Sequence, residues 1–259
     1  MTKISVITVS WNAAKTIGAT IASVAAQTVP TEHIVIDGGS TDGTPGLLSA
    51  AENVSAWVSE RDGGLYDAMN KGIRMATGDY VGFLNADDAL VGTDAAAHVE
   101  AAAASDADML MGDIVLTGGD GRIVRSYRAG SFRPWQLRFG HMPPHPGLYV
   151  RRRLLLETPF RIDMKIGADF DQIVRLVLSK NASRHAIGRT ITDMRIGGVS
   201  TSGFGATRQI NRDFARVLRD NGVASHPALL WARYPVKALQ YLGRPADLPR
   251  DWRSPLGQI

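Results

Sequence analysis

The stretch Gly78–Leu90, GDYVGFLNADDAL, joins a run of apolar residues to two adjacent carboxylates, Asp87 and Asp88. The apolar run predicts a short buried strand, so the carboxylates would lie at its carboxyl end. Two neighbouring carboxylates repel each other unless a cation or strong hydrogen-bond donors compensate them. The pair therefore predicts either a site for Mg²⁺ or Mn²⁺ or the N-terminal cap of a helix that starts at Asp88.

Strand and helix patterns alternate through the first hundred residues. Short apolar runs with β-branched residues predict strands at 4–9, 33–36, 54–60 and 79–88, and amphipathic spacing predicts helices between them. Asn12 is the candidate N-cap of the first helix. This alternation indicates an α/β fold with a mainly parallel central sheet flanked by helices.

Two acidic positions follow predicted strands of this sheet, Asp37 and Asp87. Ligands of such sheets bind beyond the carboxyl ends of the strands, so we expect the two side chains at one sheet edge. The GGSTDGT sequence after Asp37 would let a ligand approach the backbone closely. The alternative for Asp37 is an Asx-type turn that closes the strand.

The pattern changes after residue 104. The sequence GGDG at 118–121 predicts the turn of a β-hairpin, and apolar residues at helical spacing predict a helix near residues 168–178. Repeats and low-complexity linkers are absent from the sequence. We therefore predict one continuous domain over residues 1–205, with halves 1–104 and 105–205 and a small antiparallel element, followed by a basic helical extension at 206–259.

Composition narrows the function classes. Hydrophobic residues make up 44% and charged residues 21%, as in globular proteins, and the absence of Cys excludes disulfides and cysteine chemistry. The sequence shows neither a signal peptide nor an apolar run that could span a membrane, so we expect a cytoplasmic protein. The net charge of +4 is mild, and without a nucleic-acid-binding motif we expect no nucleic-acid partner.

Several of these motifs together resemble the family 2 glycosyltransferases of the GT-A fold. The resemblance is closest to the bacterial branch that builds envelope polysaccharides and glycolipids. The similar segments, in chain order, are ISVITVSWNAAKTIGATIASVAAQT at 4–28, IVIDGGSTDGT at 34–44, SERDGGLYDAMNKGIRMATGDYVGFLNADD at 59–88 and ADFDQIVRL at 168–176. The resemblance covers roughly residues 3–200 and implies a nucleotide-binding first half and an acceptor-binding, catalytic second half.

The resemblance implies a nucleotide-sugar donor linked to UDP, GDP or dTDP. In it Asp37 would bind the base, Asp87 would contact the ribose or sugar, and Asp88 would be the direct protein ligand of Mn²⁺ or Mg²⁺ at the donor diphosphate. Asn85 stands where the family signature has its leading aspartate, and we interpret it as a neutral supporting residue. The positions implied near the donor are Val9, Ser10, Asn12, Asp37, Arg61, Asp62, Gly63, Asn70, Lys71, Asn85, Ala86 and Asp87.

The resemblance places the general base at Asp169, with Ala168 replacing the family's preceding glutamate. The position of Asp169 before an apolar stripe at a helix start favours its ionised form. Asp171 has Arg175 one turn ahead, which predicts a surface ion pair. The alternative for Asp169 is an acidic residue that merely complements the helix dipole.

The acceptor implied by the resemblance is a glycan or a lipid-linked molecule. His145 would lie on the acceptor side, or would be structural. Gly197, Gly198 and Ser200 would form a lid over the diphosphate, where Arg195 would support phosphate charge, or this segment would be an ordinary turn. The basic C-terminal third, with Trp231, Tyr234 and Tyr241, predicts peripheral membrane contact, or a helix packed on the domain.

Two other function classes stay open at this point. A nucleotidyltransferase also needs a metal-bound aspartate pair, although TVSWNAAKT offers little of the glycine-rich and basic phosphate loop that such enzymes carry. A non-catalytic nucleotide-sugar-binding or glycan-binding module is favoured by Asn85 and Ala168. The intact aspartates at positions 37, 87, 88 and 169 favour an enzyme.

Overall fold

The computed structural model describes residues 2–164, 166–196, 203–234, 245–249 and 252–258. The strands and helices, in chain order, are β1 (Ile4–Ser10), α1 (Ile17–Ala25), β2 (Thr31–Asp37), α2 (Thr44–Ala50), β3 (Ala56–Ser59), α3 (Leu65–Met75), β4 (Tyr80–Phe83), β5 (Ala89–Leu90), α4 (Ala95–Ala103), β6 (Met109–Thr117), β7 (Ile123–Tyr127), β8 (Leu148–Arg151), α5 (Arg152–Glu157), α6 (Ala168–Val174), β9 (Arg184–Arg195), α7 (Gly203–Asp220) and α8 (Pro227–Trp231). A π-helical turn, Arg175–Ser179, extends α6.

One sheet contains all of these strands, in the order β3-β2-β1-β4-β8-β6-β9-β5, with β7 beside β6. Strands β1 to β4 run parallel to one another. Ser10 lies opposite Asp37, and Asp37 lies opposite Ser59, so three strands bring polar side chains to the same carboxyl edge. The predicted α/β fold with flanking helices is confirmed.

Antiparallel pairing extends the sheet on the other side of β4. Strand β8 runs antiparallel to both β4 and β6, and the predicted hairpin is confirmed as β6 and β7. Strand β5 pairs antiparallel with β9, where Ala89 lies opposite Asp193. The chain after Asp88 is therefore extended, and the alternative in which Asp88 caps a helix is wrong.

The core lies between the sheet and its helices. Helix α3 packs on β1 and β2 and buries Tyr66, Met69 and Ile73. A Cβ at Gly72 would lie 2.5 Å from Ile7 Cγ2, so only glycine permits this close approach of helix and strand. This packing fixes α3 directly behind the carboxyl edge of the sheet.

The residues after 205 that the structure describes also pack on the preceding part of the chain. The ring of Phe214 on α7 stacks on Phe170 of α6, with 3.9 Å between ring centroids. Arg233, which follows α8, is buried against the Phe214 ring at 4.5 Å. Near the end of the chain, Ser254 donates a hydrogen bond to Asp193. None of the helices in the described ranges is long and apolar enough to cross a membrane.

Candidate active site

Asp37 ends β2 and is completely buried. Its Oδ1 accepts hydrogen bonds from the hydroxyls of Ser10 (2.9 Å) and Ser40 (2.5 Å), and its Oδ2 accepts from the Ser59 hydroxyl (2.7 Å) and the Ser40 backbone N–H (2.9 Å). Burial alone would raise the pKa of Asp37, but these hydrogen bonds outweigh it and lower the pKa. The carboxylate thus ties three strand ends together. The predicted contact of Asp37 with the nucleobase of the donor stays a prediction, and such a contact would compete with these protein donors.

Asn12 lies in the turn after β1 with a φ of 49°. Its backbone N–H donates to the Ser40 hydroxyl at 2.7 Å, and its Oδ1 accepts from the Thr41 N–H at 3.0 Å. The predicted N-cap role of Asn12 is wrong, because α1 begins only at Ile17 and Asn12 instead caps the turn after β2. Val9 and Ser10 precede Asn12 as buried residues of β1.

The segment after β3 closes over the turn that follows β2. A Cβ at Gly38 would lie 3.1 Å from Asp62 Oδ2, and a Cβ at Gly39 would lie 3.3 Å from the Arg61 backbone nitrogen. The N–H of Gly63 donates to Asp67 at 2.9 Å, at the start of α3. Arg61, Asp62 and Gly63 therefore lie beside the carboxyl edge, as the resemblance implies.

Trp11, which is not among the predicted site residues, lies at the same edge. Its Cδ1 lies 3.6 Å from the position of a Cβ at Gly38, and 71% of its surface is exposed. An exposed indole next to Asp62 can stack on a flat ligand. In the sequence, the feature that indicates such a role is a tryptophan directly after a predicted buried strand.

Asn70 and Lys71 have protein partners. The Asn70 side chain forms two hydrogen bonds with the backbone of Phe160, from Nδ2 to the carbonyl (2.9 Å) and from the N–H to Oδ1 (2.8 Å). Lys71 pairs with Glu60. Neither contact includes another predicted donor-binding residue, so their donor contacts stay predictions.

Strand β4 ends at Phe83, earlier than the predicted strand 79–88, so the pair Asp87–Asp88 lies in a tight turn that begins at Asn85. Asp88 is almost completely buried, and its oxygens accept one bond each from Asn85 Nδ2 (2.8 Å) and the Arg195 N–H (3.1 Å). Burial, and then the charge of Asp87, raise the pKa of Asp88 to about 8. Burial also raises the pKa of the more exposed Asp87, against the charge of Arg195. A cation bound here would offset both effects.

The described residues fit a divalent cation that is held partly by the phosphates of a bound substrate. No three His, Asp or Glu side chains within the described ranges converge to form a complete metal cage. Mg²⁺ is commonly bound by one or two carboxylates together with substrate phosphates and water. The adjacent carboxylates of Asp87 and Asp88, with raised pKa values, match that donor set.

Asp169 lies half-buried in the first turn of α6, after Gly167, whose φ is 85°. Its Oδ1 accepts the N–H of Phe170 at 2.8 Å. The charge of Asp169 affects the pKa values of two ionisable neighbours, Tyr66 and His145. Burial and then Asp169 raise the pKa of Tyr66, and burial lowers the pKa of His145 while Asp169 opposes that shift. The neutral imidazole of His145 therefore lies near the carboxylate of Asp169.

Tyr66, Phe83, His145 and Phe160 form one aromatic group beside Asp169. Ring centroids lie 5.3 Å apart for Phe83 and His145, 5.3 Å for Phe83 and Phe160, and 5.5 Å for Tyr66 and Phe160. Phe83 ends β4, shortly before Asp87, while Tyr66 and His145 adjoin Asp169. The aromatic group thus connects the surroundings of Asp169 to the end of β4, the strand that precedes the aspartate pair in the chain.

Asp171 differs from its prediction. It does pair with Arg175, at 2.8 Å, but its side chain is 1% exposed and Arg161 lies 3.9 Å away on the other side. The predicted surface pair is therefore a buried one, because the segment before α6 covers it. Asp169 makes no such ion pair with any described residue, which leaves it the better candidate for a base.

Arg195 ends β9 beside the aspartate pair, where its charge opposes the raised pKa of Asp87. Its support of phosphate charge stays a prediction. The three predicted lid residues, Gly197, Gly198 and Ser200, lie outside the described residues.

The fold is of the GT-A type. The structure is similar to that of S. aureus TarS 1–349, with a TM-score of 0.65 and 20% identity over 88% of this chain and 69% of that one. It is also similar to the mannosyltransferase PcManGT from Pyrobaculum calidifontis in complex with GDP-Man and Mn²⁺, with a TM-score of 0.57 and 18% identity over 92% of this chain and 81% of that one.

Residues 5–171 match Glycosyl transferase family 2, and the chain belongs to this family. It is 37% identical over 186 residues to the uncharacterized glycosyltransferase Rv1514c of Mycobacterium tuberculosis strain H37Rv, covering 68% of this chain and 69% of that protein. It is 32% identical over 182 residues to the PGL/p-HBAD biosynthesis glycosyltransferase Rv2957 of the same strain, covering 66% and 68%.

Proposed function

We propose that the protein is a metal-dependent, inverting glycosyltransferase of bacterial envelope polysaccharide or glycolipid synthesis. It transfers a sugar from a UDP-, GDP- or dTDP-linked donor to a hydroxyl of a glycan or lipid-linked acceptor. The observation that carries this proposal is the aromatic group beside Asp169, which includes Phe83 at the end of β4, the strand that leads into the Asp87–Asp88 turn. The relative named for PGL/p-HBAD biosynthesis supports the glycolipid class, and neighbouring structures that contain UDP-GlcNAc or GDP-Man support the donor class.

The donor side of the proposal lies at the carboxyl edge of β1, β2 and β3. The nucleobase of the donor would lie beside Trp11 and Asp62, in the space that Gly38 leaves open. Asp37 would hold the walls of this pocket through its four hydrogen bonds, in addition to its predicted base contact. Asp87, the more exposed of the pair, would contact the ribose or sugar.

Asp88, with support from Asn85 and the Arg195 N–H, would hold Mn²⁺ or Mg²⁺. A bound cation would balance the charge that develops on the leaving diphosphate. The guanidinium of Arg195 would add positive charge on the same side, and Gly197, Gly198 and Ser200 would exclude water as a lid.

Asp169 would act as the general base. It would take the proton of the acceptor hydroxyl as that oxygen bonds to the anomeric carbon. The bond from the anomeric carbon to the diphosphate oxygen breaks at the same time, and its electron pair leaves with the nucleoside diphosphate. In-line attack inverts the anomeric centre. His145, neutral and next to Asp169, would face the acceptor.

The location of the enzyme remains part of the proposal. We propose a cytoplasmic protein in peripheral contact with the inner face of the membrane. Trp231 is half exposed, which agrees with such contact, whereas the neighbouring Arg233 is buried and belongs to the packing of the domain. Tyr241 lies outside the described residues.

A thermal-shift panel tests the proposed function. Binding to the native state raises the melting temperature by mass action, so UDP-glucose, UDP-GlcNAc, GDP-mannose and dTDP-rhamnose are compared with and without Mn²⁺. We expect one nucleotide to stabilise the protein only with the metal, and Asp88→Ala to lose that shift. Stabilisation by free nucleoside triphosphates rather than nucleotide sugars would favour a nucleotidyltransferase. Donor binding without release of nucleoside diphosphate, even with acceptor, would favour a binding module.

A further inference from the structure

The segment 158–161, which we call the brace, lies between α5 and α6 and holds the helix that carries Asp169. Gln172 on α6 donates from Nε2 to the Thr158 carbonyl at 2.9 Å. Arg175 donates from its guanidinium to the Pro159 carbonyl at 2.6 Å. Two side chains of the helix, on successive turns, are thus fixed to successive carbonyls of the brace.

Arg161 adds charge contacts at the end of the brace. Its guanidinium lies 3.9 Å from Asp171 of α6 and 3.2 Å from Asp220 of α7. Asp171 is buried, so its position depends on the guanidinium groups around it. Any movement of the brace would therefore move the first turns of α6.

Asn70 of α3 also binds the brace. Its amide exchanges two hydrogen bonds with the backbone N–H and carbonyl of Phe160, a residue 90 positions later in the chain. All of these groups are buried, so loss of the amide would leave a backbone donor and a backbone acceptor without partners. Asn70 lies in the middle of α3, whose first turn follows the predicted donor-binding residues 61–63.

The ring of Phe160 lies within the aromatic group beside Asp169. It stacks on Tyr66 and meets Phe83 and His145 edge-on, with 5.8 Å to the His145 ring centroid. Fixing the Phe160 backbone therefore fixes the wall against which Asp169 lies, as well as the helix that carries it.

We propose that Asn70 is a positioning residue for Asp169: it binds the brace, and the brace holds α6 at the distance from the donor pocket that transfer requires. Gln172 is the matching anchor on α6. The proposal rests on the proposed function, and it differs from the role that the resemblance implies for Asn70. Only 7% of the surface of Asn70 is exposed, and its amide is hydrogen-bonded to Phe160. Asn70 therefore acts on the position of the general base, Asp169, rather than on the donor.

The two roles predict different kinetic effects. A displacement of about 1 Å can reduce catalysis by roughly 100-fold without loss of binding. We therefore expect Asn70→Ala to lower the kcat for nucleoside diphosphate release by about 10–100-fold, with the Kd for donor within about twofold of wild type. A donor-binding role would instead raise the Kd.

The experiment uses the full chain and measures kcat with UDP-GlcNAc, UDP-glucose and GDP-mannose in the presence of Mn²⁺. Calorimetric titration of UDP and GDP measures the Kd for the nucleotide part of the donor. Gln172→Ala should reproduce the loss in kcat from the opposite end of the brace. Asn70→Asp, which keeps shape and an acceptor for the Phe160 N–H, serves if Asn70→Ala does not fold. The matched control is Arg74→Ala, an exposed position on the same helix, which should behave as wild type.

The double variant Asn70→Ala/Gln172→Ala provides the sharpest criterion. Because both residues act on one brace, the double variant should lose less than the product of the two single effects. Independent, multiplicative losses, or an unchanged kcat with a raised Kd in Asn70→Ala, would overturn the proposal.

Hydrogen exchange separates this inference from the proposed function. Asn70→Ala should speed amide exchange at residues 168–174, whereas Arg74→Ala should not. Unchanged exchange there would overturn the positioning role even if the enzyme is active. A wild-type protein that binds none of the donors would remove the proposed function, and the positioning role with it.

Discussion

Asn85 and Asp88 are joined by a hydrogen bond of 2.8 Å, from the asparagine amide to the buried carboxylate. The asparagine therefore orients the predicted metal ligand without adding charge. We expect Asp88→Ala to abolish Mn²⁺-dependent turnover, whereas Asn85→Ala should weaken Mn²⁺ by about 10-fold, as loss of an orienting neighbour does. Titration of Mn²⁺ against activity measures both effects. Equal losses would mean that the metal ligand is assigned to the wrong residue.

The raised pKa of Asp88, about 8, gives the metal site a pH dependence. Below pH 8 the metal-free carboxyl group is mostly protonated, and a cation binds only the ionised form. We expect the apparent affinity for Mn²⁺ to fall toward 10-fold for each pH unit below 8, with release of a proton on binding. Calorimetry at pH 6, 7 and 8 in buffers of different ionisation enthalpy checks both. A pH-independent affinity would contradict the assignment of Asp88.

At the scale of elements, Glu32 connects the start of β2 to the chain before β4. It accepts hydrogen bonds from the Ser5 hydroxyl (2.5 Å), from the hydroxyl and N–H of Thr77 (2.5 and 2.8 Å) and from Lys3 (3.1 Å). Burial alone would raise the pKa of Glu32, but these bonds lower it from 4.5 to about 2. The carboxylate thus stabilises the start of the parallel sheet while it is ionised.

The sign of the effect follows from the lowered pKa. The stabilisation is fully present above pH 4.5 and is lost as the pH falls toward 2. We expect Glu32→Gln to lower the free energy of unfolding by on the order of 1–2 kcal/mol at pH 7, because the site is partly solvated, and by much less at pH 2.5. Urea unfolding across this range measures it, with Glu100→Gln on α4 as the control. A constant difference at all pH values would contradict the pKa shift.

Elements with a repeating pattern could be predicted from the sequence. The buried strands β1 and β2 and the β6–β7 hairpin follow from apolar runs and from GGDG. Asn12 shows where a local rule failed: it looks like an N-cap, but its positive φ places it in a turn that another loop completes. Asp88 also fits the local rule for a helix cap, and only the pairing of the next residue, Ala89, with β9 shows that the chain there is extended.

At the scale of the whole molecule, the end of the chain belongs to the packed domain. Leu256 is buried, and Ser254 contacts Asp193 beside the predicted metal site. Removing a buried leucine side chain costs about 2–3 kcal/mol of stability. We expect that loss for Leu256→Ala in urea unfolding, and no loss for the exposed Arg253→Ala. Equal stability of the two variants would mean that this segment does not pack on the domain in solution.

Long-range contacts account for what the sequence could not predict. The motif around Asn70 adjoins predicted donor-binding residues and therefore predicts a donor role. Its hydrogen-bond partner, Phe160, lies 90 positions away and contributes only backbone atoms to these bonds, so the sequence does not reveal it. The burial of Asp171 likewise depends on a segment folded over it. Asp62, Asp87 and Asp169 could be predicted as site residues because their residue types and motifs are local. Their mutual arrangement depends on packing across the sheet.

Release of sugar from the donor tests the central claim most directly. The donor found in the thermal-shift panel is incubated with Mn²⁺, and nuclear magnetic resonance follows the anomeric proton of the first sugar product. We predict slow release of nucleoside diphosphate with an inverted anomer, which disappears in Asp88→Ala and falls by about 100-fold or more in Asp169→Asn. A product with retained configuration, or full activity in Asp169→Asn, would contradict the account.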